Sequence, residues 1–198
     1  AAGKPDEREQ AGETLIDLLL TIGDEKIERK QYAEAAADYR RAMTVAQQRK
    51  SASVDVAKAK LEMAGSRERS VKQLARLQEK LLQDAQDNAT AEEIIKLYAF
   101  QLGEPTAAVA YLNRAKDPDL LRYVTLAAKP VADISTDDCL ALASWYKLAG
   151  DGAPPSQDKT LAWQAAIRYI DHFRRTYVGD DLPRKRADVM HDQLKQSL

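Results

Sequence analysis

Residues 16–47 read IDLLLTIGDEKIERKQYAEAAADYRRAMTVAQ, and this stretch decides the fold. Its first half belongs to a helix from Thr14 to Glu28, on which Leu15, Ile16, Leu18, Leu19, Leu20, Ile22 and Ile27 make a broad apolar face. Its second half belongs to a helix from Tyr32 to Arg49. There Ala35, Tyr39, Ala42, Met43 and Ala46 recur at intervals of three and four, a single stripe on one side of a 3.6-residue period. Only a short polar run separates the two, so the helices must return antiparallel. Gly23 and Ala35 are small enough for the two backbones to approach, and Tyr39 fills the space beside them.

The same logic extends outward. From Ser53 to about Gln86 the chain is strongly helical, with Val54, Ala57, Leu61 and Ala64 on one stripe and Val71, Leu74, Leu77 and Leu81 on a second of shifted phase. Two readings fit this segment. One is a single helix of roughly 50 Å, exposed at Arg67, Glu68 and Arg69 where the phase slips; the other is a hairpin turning at Gly65-Ser66. A lone glycine costs a helix only about 1 kcal/mol, which favours the first. Asn88 or Thr90 caps the next helix, which carries Ile94, Ile95, Leu97, Tyr98 and Leu102 and stops at Gly103-Glu104-Pro105. Further helices are expected over 107–116 with Thr106 as cap, over 119–129 behind Pro118, from Ser135 through Leu148 to Gly150, from Lys159 to about Tyr177, and from Leu182 to Leu198. Asp151 to Ser156 reads as a loop. No segment alternates with period two, and the fold class is all-α, an α-hairpin array with a long central helix.

Composition agrees and narrows the function. In 198 residues, 44% hydrophobic side chains suffice for a core, and only 6% are aromatic, which disfavours sheets. A formal net charge of -1 offers no general attraction to phosphate, so no nucleic-acid partner is expected. No run of 18 apolar residues is present to span a membrane. The opening Ala1-Ala2-Gly3-Lys4-Pro5, without Met, fits a processed precursor or an artificial start. The first origin implies a bacterial extracytoplasmic chain, periplasmic or secreted. Residues 1–12 read as a flexible lead-in and 13–198 as one helical-repeat domain, with a sub-boundary near 87–90.

The chemistry-bearing motifs do not assemble. Gly150-Asp151-Gly152 lacks the spacing and the strand-helix setting of a phosphate loop. The lone Cys139 rules out an internal disulfide, and Asp137 and Asp138 oppose a reactive thiolate there. His172 and His191 stand 19 apart in no ligand spacing, so no metal site is expected. Arg174-Arg175 and Arg184-Lys185-Arg186 form a basic cluster, diluted by Asp171, Asp180, Asp181 and Asp188 into a solvated face. Trp145, Tyr146, Trp163 and Tyr169 recur at helical spacing and read as packing rather than as a ligand cleft.

The segment from Ile16 to Gln47 resembles a tetratricopeptide (TPR) unit. The large, small and aromatic positions of that family fall to Leu19, Ile22, Gly23, Tyr32, Ala35, Tyr39 and Ala42, whereas Gln47 replaces its closing proline and Lys26 its first-helix tyrosine. Looser echoes lie at Ala108, Leu112 and Ala115, and at Ala166, Ile170 and Phe173; the long helix has none. Cys139 to Tyr177 also looks similar to helical regions of multidomain bacterial envelope proteins, a likeness that implies no activity. The TPR resemblance implies a right-handed array that binds a protein or peptide on its concave face. On the first helix that face would carry Asp17, Leu20, Asp24, Ile27 and Glu28 and would favour basic and apolar residues. The expectation is therefore a non-catalytic scaffold, monomer or weak dimer, with no catalytic residue, cofactor or metal. The alternative is a structural or oligomerisation module of a larger envelope protein, paired through the long helix.

Overall fold

The computed structural model describes residues 5–154 and 159–198. Among these there are nine α-helices and no strand, so the chain is all-α. Its contacts divide it into two compact units, Ala1–Arg69 and Ser70–Leu198. The division falls inside one helix, at the run Arg67-Glu68-Arg69 where the two apolar stripes change phase. Of the expected lead-in, residues 1–4 lie outside the described residues, and from Pro5 onward the chain is already helical.

The first unit is made by α1 (Pro5–Glu28), α2 (Tyr32–Arg49) and the first part of α3 (Val54–Gln83). Glu13 meets Ser51, Gly23 meets Tyr39 and Lys26 meets Asp38, so α1 and α2 run antiparallel. At the crossing the Tyr39 ring lies against Gly23 of α1. A Cβ on Gly23 would stand 2.4 Å from Tyr39 Cε1, a distance only glycine allows. The small residues Ala35, Ala42, Ala46, Ala57 and Ala64 are fully buried around that ring, with Ile16 and Leu20. The expected register of the hairpin is therefore the observed one. Both α1 and α2 end the same way: Gln31 N–H reaches Lys26 O and Lys30 N–H reaches Ile27 O, as Ser51 reaches Ala46 and Lys50 reaches Gln47. This is the Schellman arrangement, with lysine (Lys30, φ 59°; Lys50, φ 56°) where glycine is usual. Because the signal is geometric and the residue atypical, neither cap was legible in the sequence.

The second unit begins in α3, which runs unbroken through Gly65 and Ser66 to Gln83. Leu74 and Leu81 of its stripe are buried, Leu61 and Leu77 half-buried, and Val71 is exposed against expectation. Likewise Arg67 and Glu68 are half-buried, and only Arg69 of that run is exposed. Then follow α4 (Asn88–Lys96), a π-helical turn (Leu97–Leu102), α5 (Pro105–Ala108) continued by a 3-10 segment (Val109–Arg114), α6 (Pro118–Ala127), α7 (Thr136–Asp151), α8 (Thr160–Thr176) and α9 (Leu182–Ser197). Three caps differ from expectation or refine it. Asp87, rather than Asn88 or Thr90, caps α4: its Oδ1 accepts from Thr90 N–H at 2.9 Å, and Lys80 at 2.8 Å holds its carboxyl well below the usual carboxylate range. Thr106 caps nothing, since Pro105 already occupies the first turn of α5. Ser135 caps α7 as its spacing to Asp138 implies. The Pro155 and Ser156 part of the expected loop lies outside the described residues.

The α7–α8 hairpin repeats the device of α1–α2. Trp163 lies over Gly150, where a Cβ would come within 2.5 Å of its Nε1, and the indole N–H donates to the next residue, Asp151, at 3.1 Å. In the first hairpin Tyr39 covers Gly23 and its hydroxyl donates to the next residue, Asp24, at 2.7 Å. A glycine admits the aromatic ring, and the aspartate that follows takes its polar tip. The aromatic side chains singled out in the sequence pack helices together: Trp145 on Phe100 (4.6 Å between centroids) and Tyr123 (5.3 Å), and Tyr146 on Tyr169 (5.8 Å).

Replacing Gly23 by Ala should destabilise the chain by about 1–3 kcal/mol, because the Tyr39 ring is held by Asp24 and cannot withdraw. Urea unfolding followed by circular dichroism measures it, and an unchanged midpoint would remove the assigned crossing. Conversely, Lys50→Gly should stabilise by about 0.5–1 kcal/mol by relieving a left-handed lysine whose side chain is exposed.

Candidate functional site

The face of α1 assigned to a partner is largely occupied by the chain itself. Leu20 belongs to the core of the first unit and Ile27 packs on its edge. Asp24 accepts both the Tyr39 hydroxyl (2.7 Å) and Lys60 Nζ of α3 (2.6 Å). Burial and the Asp24 carboxylate raise the Tyr39 hydroxyl far above the ordinary tyrosine range, so it stays a neutral donor. Beside it Lys26 pairs with the buried Asp38 at 2.6 Å. Asp17 and Glu28 remain exposed. The structure thus brings Leu20, Asp24 and Ile27 together as a packed helix junction and leaves Asp17 and Glu28 at the surface. Sequence reasoning treated that face as open because it could not see that α3 returns onto α1.

A concave surface forms instead within the second unit, and an irregularity in the backbone builds it. The π-helical turn, Leu97–Leu102, carries more residues per turn than an α-helix, so its side chains fan out to several neighbours. Leu97 joins Leu74, Leu81, Ala91 and Ile94. Tyr98 stacks on Tyr111 at 6.0 Å, and Gln78 Nε2 donates to Tyr111 Oη at 2.9 Å. Phe100 turns toward Trp145 and Tyr146. Gly103, at φ 68°, closes the turn, and Glu104 N–H reaches back to Tyr98 O at 2.8 Å.

Against this turn lies a cleft of about 440 Å³. Leu97, Phe100 and Ala153 give it an apolar floor, and Gln73, Gln101, Glu93 and Lys96 contribute amides and two charges of opposite sign. Glu93 and Lys96 are exposed and three residues apart on α4. The described lining holds no histidine, cysteine or serine and no pair of carboxylates. It combines apolar contact with hydrogen-bonding amides and one charge of each sign.

The other reactive types sit elsewhere. Cys139 is fully buried in the second unit, and burial with nearby Asp138 pushes its thiol up to about 11. His191 lies 3.3 Å from Asp171 and 3.4 Å from Asp192. Among the described residues no three His, Cys, Asp or Glu side chains gather as metal ligands, and no helix is long and apolar enough to cross a membrane. Comparison of the chain with protein-family models, curated proteins and solved structures gives no match.

Cys139 in the folded chain should react with iodoacetamide on the order of a hundredfold more slowly at about pH 8 than in urea, since it is both inaccessible and protonated. Mass spectrometry of quenched samples measures the rate. Equal rates in the two states would contradict the packing of α7.

Proposed function

We propose that this chain is a non-catalytic helical scaffold that holds a protein or peptide segment, with TPR-like hairpins as its frame and the cleft of the second unit as its seat. The observation that carries the reading is the π-helical turn Leu97–Leu102, which places Leu97, Phe100 and Gln101 on one concave surface. A polypeptide segment suits such a lining. Its aliphatic or aromatic side chain fills the apolar floor, and its backbone groups meet the exposed Gln73 amide. The ionisable groups among the described lining residues, Glu93 and Lys96, are both exposed, with no histidine, cysteine or serine beside them, which favours binding over catalysis.

The test is selection of a displayed library of random 15-residue peptides on the chain, with Ala153→Trp as comparison. Ala153 is half-buried in the cleft, and tryptophan there fills it. Selected peptides should bind the native chain and lose affinity at least about tenfold on the variant, a change of about 1.4 kcal/mol. Peptides that bind both equally, or no enrichment at all, would remove the reading.

A second reading, a structural or oligomerisation module, draws on large apolar residues left in solvent: Leu82 at 86% exposure and Val178 at 98%. Sedimentation separates the two. A monomer supports the binder, and a stable dimer supports the assembly module.

A further inference from the structure

The basic cluster of α9 reads as neutralised in the sequence, but in space three of the four carboxylates, Asp188, Asp181 and Asp171, are committed elsewhere, and the exposed Asp180 pairs with neither Lys185 nor Arg186 among the described residues. Asp188 takes Arg174 Nε at 2.9 Å and Arg184 Nε at 3.4 Å. Asp181 accepts the Tyr177 hydroxyl at 2.7 Å, and Asp171 lies against His191. Lys185 and Arg186 are exposed, and no described carboxylate pairs with either. Both stand near the start of a 16-residue helix, where the peptide dipole disfavours positive charge. Two cations without a carboxylate partner among the described residues, at the wrong end of a helix, are a local excess that folding itself does not require.

These cations flank an apolar strip. At 100° per residue, Leu182 and Val189 fall on nearly one line along α9, with Lys185 about 60° to one side and Arg186 about 40° to the other. Leu182 is 69% exposed and Val189 58%. With Met190, and with Lys147 of α7, they line a groove of about 380 Å³ within the second unit. Lys147 is paired with Asp151 at 2.6 Å, which leaves the two α9 cations as the groove's free charges.

We infer that this groove docks an acidic amphipathic helix of a partner protein, whose aliphatic side chains lie on Leu182 and Val189 while carboxylates on either flank meet Lys185 and Arg186. The placement of charge selects this occupant: one cation on each side of an apolar line matches a helix with carboxylates on both borders of its apolar face. An anionic membrane fits less well, because the feature is a groove and the chain's net charge of -1 supplies no broad attraction to a charged surface. The site is separate from the cleft at the π-helical turn and does not depend on that cleft being a binding site.

The experiment uses the whole chain and a fluorescein-labelled helical 15-residue peptide with leucines at i, i+4 and i+7 bordered by glutamates, together with its lysine-for-glutamate counterpart. By anisotropy, the glutamate peptide should bind, at least about tenfold more tightly than the lysine peptide. Binding should weaken by a similar factor in the K185E/R186E variant and on raising salt from about 50 to about 500 mM, and should persist in Ala153→Trp. Because Lys185 and Arg186 are exposed, the variant should keep its helical circular dichroism; K185A/R186A gives the same loss in smaller measure without new charge. The inference is overturned by absent binding of the glutamate peptide, by equal binding of the lysine peptide, or by indifference to K185E/R186E. Binding of the chain to vesicles containing phosphatidylserine, with no binding of the glutamate peptide, overturns it as well.

Discussion

An aromatic ring laid on a glycine, with its polar tip tied to the aspartate that follows, is the contact on which two of the helix pairs depend. Helices can approach this closely only where a side chain is missing, and they hold their angle only if the ring that fills the gap cannot swing away. Tyr39 over Gly23 with Asp24, and Trp163 over Gly150 with Asp151, meet both conditions. The alanines beside Tyr39, fully buried at positions 35, 42 and 46, are a consequence: once the backbones are close, nothing larger fits.

The polar half of the contact has a cost and a use. Asp24 must be satisfied at a helix junction, and it is, by Tyr39 and by Lys60 from α3. The arrangement joins three helices through one carboxylate, and it turns a face with the look of a binding surface into an internal joint. Asp38 with Lys26 adds a second tie between α1 and α2. Asp24 and Lys26 on α1 therefore serve the architecture of the first unit.

There the determining feature is a departure from regularity. A standard helix through Leu97–Leu102 would keep one apolar face. The widened turn sends Leu97 to α3 and α4, Tyr98 to Tyr111, and Phe100 to the Trp145 cluster. A widened turn is tolerated only because each displaced side chain finds a partner, and the space it opens becomes a cleft with an apolar floor.

Much of the architecture was legible in the chain. Threes and fours from Leu15 to Ala46, the Ser135 cap, the stop at Gly103 and the unbroken α3 follow from local rules: side-chain spacing, capping chemistry and the low cost of one glycine. The Gly23, Ala35 and Tyr39 register was readable through the likeness to a tetratricopeptide unit, whose small positions mark close approach. What tertiary structure alone decided is where polar groups find their partners and which faces stay open. Composition cannot say that Asp188 spends itself on Arg174 and Arg184 and leaves Lys185 and Arg186 with no carboxylate partner among the described residues, nor that Lys60 crosses to Asp24. The π-helical turn belongs to the same class, since its extra residue is stabilised by Trp145 and Tyr111, far along the chain. Local preference sets the helices; long-range pairing sets the surfaces they present.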